Sequence, residues 1–258
     1  MLKVTFLGTA AVLPETDGDT VCHVVNETVV FDTGWNAALR LPRFGLDPLR
    51  ITHLLFTHFH HDHYLGLPQF LFQRQLLAAK ATDTPPLILG GPAEDLETVV
   101  GLARAFLQEA RFPGVAGSVE LLPLVPGDGF SIGDLSINVG RSGHPVPAHG
   151  YRVEDTTSGA ILCVTGDTEY TDELVRFHQG ADLLITEASF GPRAAPDNNP
   201  YGHMGAIDAA RLAREAGVKR LALTHARQEQ RVATLAAART IFPETFWPAD
   251  GEEIVLSA

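Results

Sequence analysis

The sequence predicts an α/β fold of the four-layer αββα sandwich type, and three observations carry that expectation. Short apolar runs that suit strands come in pairs, each pair is followed by helical stretches, and this order occurs twice. The strict strand–helix–strand alternation of a parallel doubly wound sheet is not the pattern. No Pro/Gly/Ser linker, low-complexity tract or short tandem repeat interrupts the chain, so a single domain over 1–258 is expected, with its halves as candidate architectural copies.

The elements follow in order. Leu2 to Leu7 alternates as a strand and ends at the turn signal Gly8-Thr9, before a polar loop through Asp19. Cys22 to Val25 and Thr28 to Phe31 form a hairpin about Asn26-Glu27. Asp32-Thr33-Gly34 closes it, where Asp32 either orients a metal-bound histidine or caps the next helix. Ile51 to Phe56 is apolar and suits a buried strand; Leu67 to Lys80 is a helix. Leu87 to Leu89 is a strand, Gly90-Gly91-Pro92 a turn, and Ala93 to Gln108 an amphipathic helix. Val119 to Leu124, Leu135 to Val139, Ala160 to Val164 and Leu221 to Leu223 are strands, and Ala206 to Ala216 is a helix. The stretch from Gly191 to Gly202, with three prolines and Asn198-Asn199, is the longest irregular run and a candidate pocket wall.

Composition narrows the function. The chain is 45% hydrophobic, as ordinary globular proteins are, and its apolar runs are too short for a membrane span. Met1-Leu2-Lys3 leads straight into a strand, so a soluble cytoplasmic protein is expected. Cys22 and Cys163 each sit in an apolar run and read as buried reduced thiols. A net charge of -12 argues against a long nucleic acid as partner, because gripping one usually takes a basic footprint.

Thr57 to Gly66, T-H-F-H-H-D-H-Y-L-G, carries the chemistry. His58 and His60 follow the strand at i and i+2 and chelate one ion from the same side of extended chain. Asp62 and His63 come after the chain has turned and face a second ion. Imidazoles and a carboxylate without thiolate suit Zn, Mn or Fe in a hydrolytic site rather than a structural one. Two coordination shells need more ligands, and three strand ends offer them: His144 in S-G-H-P, Asp167 in V-T-G-D-T and His225 in L-A-L-T-H. Gly166 gives the close approach that a bridging carboxylate needs.

With these residues in place the chain resembles the metallo-β-lactamase-fold hydrolases, specifically the ribonuclease Z-like phosphodiesterase branch. The resemblance runs nearly end to end: F-L-G-T at 6–9, F-D-T-G at 31–34, the signature at 57–66, H-P at 144–145, G-Y-R-V-E at 150–154, G-D-T at 166–168, E-A-S at 187–189, His203 and T-H at 224–225. It implies that His58, His60 and His144 hold one divalent ion, Asp62, His63 and His225 the other, and that Asp167 bridges them. It implies zinc first, with manganese or iron as alternatives, and a homodimer remains open. It also implies that Glu187 and His203 form a supporting catalytic pair, with Asp62 beside them in the reaction centre.

Two departures shift the expected substrate. Ribonuclease Z proper inserts a tRNA-gripping arm between G-Y-R and G-D-T, but here residues 152–166 are all that separates Tyr151 from Asp167. Thr186 stands where those enzymes have a histidine before the glutamate. The expectation is a binuclear phosphodiesterase that uses a metal-bridging hydroxide on a small or cyclic phosphodiester. A lactonase or other ester hydrolase, tRNA 3′ processing, and a metal-dependent binding protein without turnover are the alternatives. The other histidines read as structural: His23 in the hairpin, His53 before the core strand, His149 before Gly150, His61 pointing away from the ligands, and His178 as a cation at a helix end.

Overall fold

The computed structural model describes residues 1–14 and 16–257. Glu15, within the polar loop expected through Asp19, lies outside the described residues. The chain opens with β1 (Leu2–Gly8), β2 (Cys22–Val25) and β3 (Val29–Phe31). The β2–β3 turn places Asn26 and Glu27 at φ 47 and 59, the double left-handed geometry that a two-residue hairpin needs. Then come α1 (Ala37–Arg43), β4 (His53–Leu55), α2 (His61–Tyr64), α3 (Leu67–Ala78), β5 (Leu87–Pro92), α4 (Leu96–Phe106) and β6 (Val119–Leu124). The second half runs β7 (Gly129–Ile132), β8 (Leu135–Arg141), β9 (His149–Asp155), β10 (Ile161–Val164), α5 (Asp172–Phe177), β11 (Leu183–Glu187), α6 (Ala206–Glu215), β12 (Arg220–Thr224), α7 (Arg231–Arg239), β13 (Thr245–Phe246) and β14 (Glu253–Leu256).

Among the described residues these strands form two seven-stranded sheets, ordered β14-β1-β2-β3-β4-β5-β6 and β13-β12-β11-β10-β9-β8-β7. An apolar core of Leu2, Val4, Phe6, Phe31, Tyr151, Leu162 and Ile185 lies between the sheets. A second core seats α1, α3 and α4 on the outer face of the first sheet, and a third seats α6 on the second. This is the αββα sandwich, with the inner faces of the sheets packed together and helices covering the outer faces over the central strands.

The structure corrects the expected strand–helix order in detail. Each sheet pairs antiparallel on one side, but β3 to β6 and β10 to β13 pair parallel through helical crossovers. Half of each sheet is therefore strand–helix–strand. Gly90-Gly91-Pro92 is likewise not a turn: β5 continues through it, paired to Pro123 and Leu124, and α4 starts only at Leu96. The glycines serve space. A Cβ on Gly90 would lie 2.7 Å from Leu55 Cδ2 of the neighbouring strand. The loop from Gly191 to Gly202 is irregular as expected, and Asp208 of α6 pins it by accepting from Ala195 N at 2.6 Å and Gly205 N at 3.1 Å. No helix among the described residues is long and apolar enough to cross a membrane.

Candidate metal centre

Strand ends deliver the site. β4 runs out into Thr57–His60, and the short α2 turns Asp62 and His63 back under the sheet edge. Asp32, at the end of β3, fixes this loop: one carboxylate oxygen accepts from Thr57 N at 2.8 Å, and the other accepts from Thr57 Oγ1 at 2.7 Å and lies 2.8 Å from His63 Nδ1. Of the two readings of Asp32, the orienting one matches the structure, since Asn36 occupies the N-terminal cap of α1. A ring held by Nδ1 presents Nε2 inward.

The same device recurs at the other strand ends. His144 Nδ1 lies 3.0 Å from Gly202 O, and His225 Nδ1 lies 2.8 Å from Ser189 Oγ. His225 takes a left-handed φ of 54 and its N–H donates to Thr9 O at 2.9 Å, so the backbone is over-determined at this residue. Gly166, at φ 63, lets β10 approach the Thr57 loop; a Cβ there would lie 2.6 Å from Thr57 Cβ.

The side chains converge into two groups whose ligand atoms lie within 4.8 Å of one another: His58, His60, His144 and Asp167, and Asp62, His63 and His225. Asp167 Oδ2 is central, 3.7 Å from His58 Nε2, 3.5 Å from His63 Nε2 and 3.4 Å from His225 Nε2. Asp167, His203 and His225 form a third such group. Two facts test whether this set suits cations. His58 Nε2 and His63 Nε2 are buried with no hydrogen-bond partner, as are the ring nitrogens of His23 and His178, but the first two lie 3.7 and 3.5 Å from the Asp167 carboxylate. His144 directs Nδ1 at the Gly202 carbonyl, which leaves Nε2 with a lone pair, 3.1 Å from His60 Nδ1. A lone pair held in this cluster of imidazoles fits a divalent ion.

Protonation points the same way. Burial pushes His63 down, but the charges of Asp167 and Asp32 outweigh it and hold this imidazole well above its ordinary range. Burial likewise opposes the proton on His225, yet Asp167 and the Asp62 hydrogen bond raise it to about 9. Burial lowers His58, and burial then the neighbouring imidazoles lower His60 and His144, so those rings are neutral and free to ligate. The carboxylates thus gather positive charge where cations would sit.

Beside this cluster, Glu187 ends β11 with both oxygens in use: Oε1 accepts from Thr168 N at 2.7 Å and lies 2.8 Å from His203 Nδ1, while Oε2 accepts from Ser189 Oγ. Burial disfavours charge on His203, but the Glu187 hydrogen bond outweighs it and raises its pKa.

A family model described as "Beta-lactamase superfamily domain" matches residues 27–226. The chain belongs to this superfamily. It is 27% identical to the ribonuclease Z of Methanothermobacter thermautotrophicus, across 95% of this chain and 94% of that one. Among solved structures it is similar to the short form of human tRNase Z, at TM-score 0.81 and 25% identity, covering 99% of this chain and 100% of that one. It also superposes on the metallo-beta-lactamase fold protein YhfI from Bacillus subtilis, at TM-score 0.83 and 23% identity over 98% of each chain. The protein is a metallo-β-lactamase-fold hydrolase of the ribonuclease Z-like branch, and that fold implies divalent metal ions.

Several residues of this superfamily site escaped the sequence reading as individuals. Ser189 links His225 to Glu187, Thr57 links Asp32 to His58, and Thr168 ties Glu187 to the Asp167 loop. Each lies inside a quoted motif, so position was visible and role was not. Of the remaining histidines, His61 is exposed. His178 is corrected: it closes α5 but is fully buried, and burial then Arg152 push its pKa down to about 3, so it is neutral and not a dipole-matched cation. Between pH 6.5 and 3 the unfolded chain binds a proton there that the folded chain refuses, so stability falls as pH drops through that window. The slope is about 1.4 kcal/mol per pH unit for one such group. His178→Leu should flatten the acid side of the urea-midpoint profile by that slope, and an unchanged slope would show the ring to be protonated in the fold.

Proposed function

We propose that the protein is a binuclear metallophosphodiesterase acting on a small or cyclic phosphodiester. His58, His60 and His144 would hold one ion, Asp62, His63 and His225 the second, and Asp167 would be shared; zinc suits this thiolate-free imidazole and carboxylate set, with manganese or iron as alternatives. When bound, such ions supply Lewis acidity at phosphoryl oxygens and a water that deprotonates near neutral pH. The chain's own residues do the rest. Asp32, Ser189 and the Gly202 carbonyl fix three ligand rings, so little reorganisation is left to the reaction. His203 protonates the departing oxygen, and Glu187 holds the ring and favours its charged form.

The Glu187–His203 pair carries the choice of phosphodiester over lactone, because an alkoxide leaving from phosphorus needs a proton. The small size of the substrate rests on the shape of the chain. β9 and β10 are joined by Thr156 to Ala160 alone, where the related tRNA enzymes carry an arm. The alignment with the archaeal ribonuclease Z runs over 291 residues although this chain has 258, so that relative carries segments this one lacks. The net charge of -12 adds to the argument. Buried free thiols at Cys22 and Cys163 suit a reducing compartment, and we place the enzyme in the cytoplasm.

The test is a substrate panel on metal-replete protein: aryl phosphodiesters, 2′,3′- and 3′,5′-cyclic nucleotides, precursor tRNA, homoserine lactones and β-lactams. Turnover of small diesters with weak, poorly productive tRNA binding is expected. Tight, salt-sensitive tRNA binding or a preference for lactones would overturn the reading.

A further inference from the structure

A cavity of about 430 Å³ adjoins the catalytic pair, with Ser189, His203 and His225 on its buried side and Leu13, Arg227 and Glu229 at its mouth. This volume suits a small-molecule site. Because His203 lines it, and His203 is the residue placed to protonate the departing oxygen, the cavity receives the leaving alcohol. Leu13, which is 80% exposed, offers that alcohol an apolar wall.

Arg227 is unusual within this wall. Two residues earlier His225 is held at φ 54 and bonded to Thr9 O, and Ala226 bridges to Ala10, so the backbone that carries Arg227 is tied to the metal centre. Its guanidinium is exposed and, among the described residues, makes no hydrogen bond, ion pair or ring contact. Glu229 shares the cavity mouth yet forms no ion pair with it. Arg40, Arg50 and Arg211 pair with Asp250, Glu27 and Glu215, while Arg176 and Arg193 are as free as Arg227, so it is the place at this cavity that sets Arg227 apart. A fixed backbone, an uncompensated charge and a place at the leaving-group cavity describe a fork waiting for an oxyanion, since guanidinium matches carboxylate and phosphate in two-point geometry.

We propose that Arg227 is a specificity-determining residue that takes a second oxyanion, a carboxylate or phosphate carried on the leaving alcohol. This rests on the phosphodiesterase reading of the same centre and narrows its substrate class to phosphodiesters with an anionic leaving group. Glu229 limits the charge accepted there, so that a monoanion is favoured over a dianion.

The test uses methyl aryl phosphodiesters whose leaving phenols carry a meta carboxylate, phosphonate or carboxamide, on the metal-loaded wild type, Arg227→Ala and Glu229→Gln. The wild type should prefer carboxylate to carboxamide about tenfold in kcat/KM, the scale of one charge-assisted contact at an exposed site. Arg227→Ala should abolish the preference, and Glu229→Gln should raise it, most for the phosphonate. Equilibrium titration with 3-carboxyphenyl and 3-carbamoylphenyl phosphates gives the same comparison without turnover. A carboxylate preference in binding, lost in Arg227→Ala, with no diester cleaved would sink the phosphodiesterase reading and leave the Arg227 assignment standing. Cleavage of all three diesters with equal efficiency by wild type and Arg227→Ala would overturn the assignment and leave the phosphodiesterase.

Discussion

Replacing Asp167 with Ala should abolish phosphodiester turnover, by at least about 10³-fold, while the protein stays folded. One oxygen of this carboxylate lies between 3.4 and 3.9 Å from nitrogens of His58, His63, His203 and His225, so it touches both groups of converging side chains. Without it, cations held by the two groups would lack the anion that offsets their mutual repulsion, and His63 and His225 lose the charge that opposes burial. A loss of several kcal/mol in transition-state stabilisation corresponds to that factor. The fold should survive because the Asp167 carboxylate faces the imidazoles of His58, His63, His203 and His225. Circular dichroism and a thermal melt check the fold, and steady-state hydrolysis of bis(p-nitrophenyl) phosphate checks the rate. Near-native activity in a folded variant would remove the shared carboxylate from the mechanism.

His203→Ala should slow diesters according to the basicity of the leaving group. An alkyl alkoxide leaves poorly without a proton, whereas p-nitrophenolate leaves well, so the loss should be about 10²–10⁴-fold for an alkyl diester and far smaller for the nitrophenyl one. Glu187→Gln should reproduce the trend, since Glu187 holds His203 Nδ1 at 2.8 Å and raises its pKa. His203 also stands within ligand distance of Asp167 and His225. Elemental analysis of the variant therefore separates the roles: equal losses on both leaving groups rule out the acid, and a lost ion makes His203 a ligand.

The candidate site is legible in the sequence because its polar residues sit at strand ends. His58, His60, His144, Asp167 and His225 each follow an apolar strand run, and a scarce polar residue after such a run is visible in one dimension. Asp32 was not decidable, because its partner His63 is distant in sequence and only the packed β3–β4 pair brings them together. The charge of His178 is hidden from the sequence for the same reason: a helix end favours a cation, but the ring is buried against Phe177 and Gly150 of β9, away from water. Gly90 and Gly91 looked like a turn because the demand for space comes from Leu55 and Phe56, on the neighbouring strand and its continuation. The last strand, β14, pairs with β1 from the opposite end of the chain, a closure that no local pattern encodes.

The proposed mechanism requires two ions that share the Asp167 carboxylate. The most direct measurement is to strip the protein with a chelator, titrate it with zinc, and follow bound metal per chain together with hydrolysis of an aryl phosphodiester. Two equivalents per chain, with activity complete only when both are bound, is the predicted result; saturation at one equivalent, or full activity in the stripped protein, would contradict it.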